Sequence, residues 1–191
     1  MKRTDTKTTL LDCAEDLIQR RGINAMSYND LSKAVGIAKA SIHHHFPKKE
    51  DMLLALMSKY ACSYAEQYVS IVDSNKEALD KLKAIADIFE NSLKQNKICL
   101  FGMISSEQGS LSEPIQEMLK EGFDGTVLLF EKVFIQGIED KTISSDLDSR
   151  QSAQCFLSLL IGAQITARSQ GDSDSQIFSS MINEYLNLLE R

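Results

Sequence analysis

The sequence predicts an all-α fold of about nine helices, with a three-helix, helix-turn-helix head in residues 1–47 and a helical body in residues 48–191. Three observations carry this. Glu, Lys, Leu, Ala and Ser dominate a composition with only two prolines and no tryptophan, which is the profile of a helical chain. Apolar residues recur at three- and four-residue spacing along most of the chain. The stretch SYNDLSKAVGIAKASIHHHF, Ser27 to Phe46, reads as two short helices joined by a tight turn and halted by Pro47. At 191 residues and 43% hydrophobic, the chain can bury a proper core.

In chain order, Met1 to Lys7 is a polar arm with Lys2, Arg3 and Lys7, either a follower of nucleic-acid phosphates or a solvated terminus. Leu10, Leu11, Ala14, Leu17 and Ile18 form the stripe of the first helix, which Gly22 ends after Arg20 and Arg21. Ser27 starts the second helix and Asp30, three residues on, completes a near capping box. Leu31, Ala34 and Val35 share its inner face, Gly36 takes the left-handed end position, and Ile37 plugs the turn. The third helix, about Lys39 to His45, is roughly 10 Å long and fits a major groove about 12 Å wide. Only Ile42 and Phe46 anchor it inward, so Lys39, Ser41, His43 and His44 are left to read an outside surface.

The run LLDCAEDLIQRRGINAMSYNDLSKAVGIAKASIHHHFPKKEDMLLALM resembles the N-terminal domain of the TetR family of transcriptional repressors over roughly the first 57 residues, most specifically in the helix-turn-helix and HFPKKE. The resemblance implies DNA contact by Ser27, Tyr28, Lys39, Ala40, Ser41, His43 and His44, with Lys49 holding a phosphate. The chain departs from the family pattern with Ala38 for the usual Ser, Ala40 for the usual Gly and His43 for the usual Tyr. Groove docking survives these changes, but the operator sequence does not carry over.

Pro47 opens a connector helix that runs through Met52, Leu53, Leu56, Met57, Tyr60, Tyr64 and Tyr68 to about Val72, with Lys48 and Lys49 at an N-terminus suited to a phosphate. A helix follows from about Lys76 to Gln95 on Leu79, Leu82, Ile85, Ala86, Phe89 and Leu93. Lys97 to Pro114 holds a short helix between polar turns. Ser112 is then expected to cap a long helix ending near Gly137, before an acidic loop from Glu139 to Asp146. The last two helices, Asp148 to about Ser169 and Asp174 to Glu190, carry wide apolar faces with small residues such as Gly162 and Ala163, which suits an oligomer interface.

The net charge of −6 is unevenly spread: residues 1–50 hold nine Lys/Arg against six Asp/Glu, leaving twelve against twenty-one for residues 51–191. A basic head on an acidic body points to phosphates at one end. No apolar run is long enough for a signal peptide or a membrane span, so a cytoplasmic protein with no membrane partner is expected. Cys13, Cys62, Cys99 and Cys155 lie far apart, as reduced thiols and not as a disulfide or zinc framework. Consecutive histidines point about 100° apart on a helix and cannot close on one ion. No catalytic motif is present, so neither an enzyme nor a cofactor is expected.

The resemblance further implies a homodimer through the last two helices, spanning a palindrome, and a small-molecule effector in the body that shifts the dimer between two states. Candidate effector residues are Cys99, Met103, Phe89, Phe123, Glu107 and Arg168, each of which also reads as ordinary core or surface. CLFGMISSEQGSLSEPIQEML and LLIGAQITARS resemble the electrophile- and oxidant-sensing branch of that family, where Cys99 would be a reactive thiol with a lowered pKa. The alternative is a helical protein-interaction module without specific DNA binding, which would lack the salt dependence of counterion release.

Overall fold

Helix follows helix throughout the computed structural model, which describes residues 5–190: α1 (Thr6–Arg21), α2 (Tyr28–Val35), α3 (Lys39–His45), α4 (Lys49–Val72), α5 (Ala78–Lys94), α6 (Leu100–Ser105), α7 (Glu113–Glu139), α8 (Ser149–Ser169) and α9 (Gln176–Leu189). Short 3₁₀ turns lie at Ile23–Ala25 and Gln108–Ser110. No strand is present among the described residues; one isolated antiparallel bridge joins Ile143 and Glu190. Lys2 and Arg3 of the expected arm lie outside the described residues, whereas Lys7 belongs to α1 and not to an arm.

The chain divides into two compact units, one made of residues up to Cys62 with Cys99–Glu121, the other of Ser63–Ile98 with residues from Gly122 onward. The first unit is centred on Leu10, Ala14 and Ile18 of α1, Leu31 of α2, Ile42 of α3, Met52 and Leu56 of α4, and Leu100 and Ile104 of α6, all fully buried. Helix α6 packs on α1, with the tip of Met103 beside Gly22. Lys59 of α4 reaches Asp12 and Glu15 of α1 at 2.5 and 3.3 Å. Ser112 holds the N-cap position of α7 as expected, its carbonyl accepting from the Ile115 and Gln116 N–H groups, while its hydroxyl donates to the Glu50 carboxylate.

The second unit is built on α5, α8 and α9 packed against one another. Phe130, Phe134, Phe156 and Tyr185 form a ring cluster around Phe156, with centroid separations of 5.8 to 6.2 Å. Three buried or half-buried polar ties cross it. Lys81 donates to the Val72 carbonyl and to Gln136 Oε1, both at 2.7 Å. Gln164 donates to the Phe89 carbonyl at 2.8 Å. Ser175 and Ser179 donate to Glu90 at 2.7 and 2.8 Å.

Asp148 caps α8 as expected, accepting from the Gln151 N–H at 2.7 Å. Helix α9 starts two residues later than expected, and Asp172 accepts its free N–H groups from Gln176 and Ile177. Helix α7 runs past Gly137, whose missing side chain makes room for buried Ile143: a Cβ there would lie 2.5 Å from Ile143 Cδ1. The expected acidic loop keeps Glu139 and Asp140 exposed but is pinned to the helix end, with the Thr142 and Ile143 N–H groups donating to the Gly137 carbonyl at 2.9 and 3.0 Å.

Candidate nucleic-acid interface

Helix α2 begins with the capping box its sequence predicts. The Ser27 hydroxyl accepts from the Asp30 N–H at 3.2 Å, and the Asp30 carboxylate accepts from the Ser27 N–H at 3.2 Å. The Ser27 side chain, acting mainly as a hydrogen-bond donor to that carboxylate, holds Asp30 below the usual carboxylate range. At the other end Gly36 adopts φ +75°, a left-handed conformation that a side chain would strain. The Ser32 hydroxyl ties the turn by donating to the Ile37 carbonyl at 2.7 Å. Ile37 itself is half-buried and Ala34 exposed, so the plug and inner face are shallower than the apolar pattern implies.

Helix α3 spans Lys39–His45, the range its sequence predicts, but Ala38 supplies no side-chain cap. Its position is set from below and from one side. Ile42 and Phe46 are buried; the Tyr28 hydroxyl donates to the Phe46 carbonyl at 2.7 Å, and the Tyr28 ring meets the edge of His43 at 4.8 Å. Burial, followed by the charge of Asp51, pushes the Tyr28 phenol up, so it stays a neutral donor. Lys7 Nζ stands 5.5 Å above the Phe46 ring.

Lys39, Ala40, Ser41, His43 and His44 are brought together on this one helix, all exposed. Ser27, Tyr28 and Lys49 sit differently, because their polar atoms are engaged within the head. Lys49 Nζ donates to the Ile23 carbonyl at 3.0 Å, and burial pulls its ammonium pKa down. Pro47 and Lys48 precede α4 instead of opening it, and the Lys48 N–H donates to Asp51. Sequence reasoning missed Tyr28 and Ser32 as the ties of the turn. The 18-residue separation of Tyr28 from Phe46 leaves no local signal for the first.

The effector candidates fall in different units: Cys99, Met103 and Glu107 in the first, Phe89, Phe123 and Arg168 in the second. Cys99 immediately precedes α6; Tyr60 stacks on Phe101, and its hydroxyl lies 3.8 Å from the Cys99 sulfur. The expected lowering of the Cys99 thiol is not found. Burial pushes it up by more than the Gly102 and Phe101 N–H groups and the Tyr60 hydroxyl pull it down. Met103 faces Gly22, Glu107 precedes a 3₁₀ turn, Phe89 is buried and Phe123 half-buried. Arg168 lines a hollow of about 320 Å³ with Leu93, Lys94, Asn96, Gly171, Asp172 and Ser173.

Comparison with known proteins gives matches at both ends. Residues 10–56 match the family described as bacterial regulatory proteins, tetR family, and residues 78–176 match the tetracyclin repressor-like C-terminal domain, over half of the chain. The transcriptional repressor KstR2 of Mycobacterium tuberculosis is 25% identical over 139 residues, 73% of this chain and 70% of that protein. A TetR transcriptional regulator from Legionella pneumophila superposes with a TM-score of 0.87 at 29% identity, covering all of both chains. One from Agrobacterium tumefaciens reaches 0.91 at 27% identity over 97% of each. No helix among the described residues is long and apolar enough to cross a membrane. An N-terminal helix-turn-helix whose second helix stands exposed, in a chain matched at both ends by one family's models, places this protein in the TetR family of bacterial regulatory proteins.

Proposed function

We propose that this protein is a ligand-responsive transcriptional repressor that acts in the cytoplasm as a homodimer on a palindromic operator, with residues 1–47 contacting DNA and residues 48–191 carrying effector binding and dimerisation. The observation that carries the reading is α3 itself: a seven-residue helix anchored by Ile42 and Phe46 that turns Lys39, Ala40, Ser41, His43 and His44 to solvent. Two such helices about 34 to 36 Å apart would enter successive turns of one groove. Dimerisation through α8 and α9 is supported by Ile165, 49% exposed, and Leu188, 74% exposed, large apolar side chains on those helices.

A small-molecule effector binds the body and acts through unequal affinity for two dimer states. Arg168 is the candidate that lines an open hollow, which suits a ligand carrying an acidic group. The burial that raises the Cys99 thiol favours a reversibly bound effector over a thiol-reactive one. Fluorescence anisotropy of the full-length protein on DNA upstream of its own gene, at two salt concentrations, tests the reading. Saturable binding that weakens steeply with salt is expected. Binding to neither that DNA nor any member of a random duplex pool would sink it. In the same assay an electrophile should label exposed Cys62 and Cys155 before Cys99, leaving early operator release unaffected by Cys99→Ser.

A further inference from the structure

Successive helical residues turn by about 100°, so α3 has an inward lane and three lanes around it. Ile42 and Phe46 point inward. Opposite them, one turn apart, lie Ala40 and His44, both exposed. On one flank Lys39 and His43 share a lane, and the His43 ring rests edge-on against Tyr28, whose hydroxyl is bound to the Phe46 carbonyl. On the other flank are Ser41 and half-buried His45, whose ring meets that of His44 edge-on at 5.6 Å. Only the central lane faces straight away from the head. Its two side chains differ in chemistry: Ala40 ends in a methyl group, and His44 carries a ring N–H donor.

Resting on the DNA-binding reading above, we propose that Ala40 and His44 are the base readers of α3, and that His43 is a positioning residue which braces the helix through Tyr28. A methyl group in the major groove matches the 5-methyl of thymine, and an imidazole N–H matches the N7 acceptor of a purine. One turn separates the two readers by about 6 Å along the helix, on the order of two base-pair steps of 3.4 Å. Each half-site therefore contains a thymine read by its methyl and a purine read by its N7, one to two steps apart. The short side chain of Ala40 lets the helix seat closely enough for both.

The test uses the full-length protein on the best duplex from a random-sequence selection, with single-atom changes in the DNA. Replacing the thymine by uracil should weaken binding about three- to four-fold, the worth of one buried methyl. A 7-deazapurine at the second position should weaken it about five-fold, the worth of one hydrogen bond. Each ratio is taken between two duplexes with the same protein, so a general loss of stability in a variant cancels. Ala40→Gly and Ala40→Ser should erase the uracil effect alone, and His44→Ala the 7-deazapurine effect alone. His43→Ala should weaken both duplexes equally and keep both ratios, and His43→Phe, which retains an aromatic edge against Tyr28, should restore affinity.

The assignment is overturned if the uracil effect survives both Ala40 variants, if the 7-deazapurine effect survives His44→Ala, or if His43→Ala removes either ratio. It is overturned equally if no thymine or purine in the selected site shows an effect. In each of those cases selective, salt-dependent binding remains and the repressor reading stands. Absence of binding to every duplex overturns both together.

Discussion

The turn joining α2 to α3 and the packing of α5, α8 and α9 are held by bonds of different reach. In the turn, Ser27 meets Asp30 three residues away, Gly36 bends the chain by its own backbone, and Ser32 ties to a carbonyl five residues on. In the second unit the ties are distant in sequence: Lys81 to Gln136 across 55 residues, Gln164 to Phe89 across 75, Ser175 to Glu90 across 85. The difference teaches that the turn's shape is fixed locally, residue by residue, whereas the packing of α5, α8 and α9 depends on helices that meet only after the chain has folded. Local bonds stabilise modestly and specify sharply. Distant buried ones carry more of the stability, because breaking one leaves a polar group or a cavity that nothing nearby can fill.

The contrast can be broken or sharpened by substitution. Phe156→Ala removes the ring at the centre of the second unit's cluster and should cost about 3–5 kcal/mol, read by thermal unfolding of that unit. Lys81→Met leaves the Val72 carbonyl and the Gln136 amide oxygen without their donor and should cost about 1–3 kcal/mol. Ser27→Ala removes only the local cap of α2, for which about 1 kcal/mol is expected. A Ser27→Ala loss as large as that of Phe156→Ala would void the distinction.

The smallest effect is one of pH. Burial pushes the Glu90 carboxyl up, but hydrogen bonds from Ser175, Lys94 and Ser179 outweigh it and hold the group below its ordinary value of 4.5. A carboxyl lowered on folding contributes stability that is present above its unfolded value and lost as pH falls through the folded one. Glu90→Gln should therefore lower the unfolding temperature near neutrality and flatten its dependence on pH below about 4.5, so that the variant and the parent protein converge in acid. An unchanged slope would mean that Glu90 does not tie α9 to α5.

What the sequence made legible follows the same division. The limits of α3, the capping box of α2 and the left-handed Gly36 were readable because each signal lies within a few residues of its effect. Long helices were readable by their stripes, to within a few residues at their ends. Tyr28 as a brace, Lys49 as a donor to Ile23 and Ser112 as a partner of Glu50 were not, since each depends on a neighbour brought near only by tertiary structure. The thiol of Cys99 illustrates the cost of judging an environment from neighbours in sequence. Its place before a helix argued for a lowered pKa, but burial raises it by more than its hydrogen-bond partners, among them Tyr60, 39 positions away, lower it.

The folded-back end of α7 bears on how this protein can be lengthened. Lys141 takes a left-handed conformation, and the next two residues return to the Gly137 carbonyl so that Ile143 fills the space a side chain at 137 would occupy. The count of residues between Gly137 and Ile143 is thereby fixed. Beyond it, residues 144–147 lie between that plug and the capped start of α8 and are largely at the surface. A fluorescent reporter or purification tag spliced in after Ser145 should leave the fold intact, whereas a single glycine added after Asp140 should dislodge Ile143 and loosen the end of the helix.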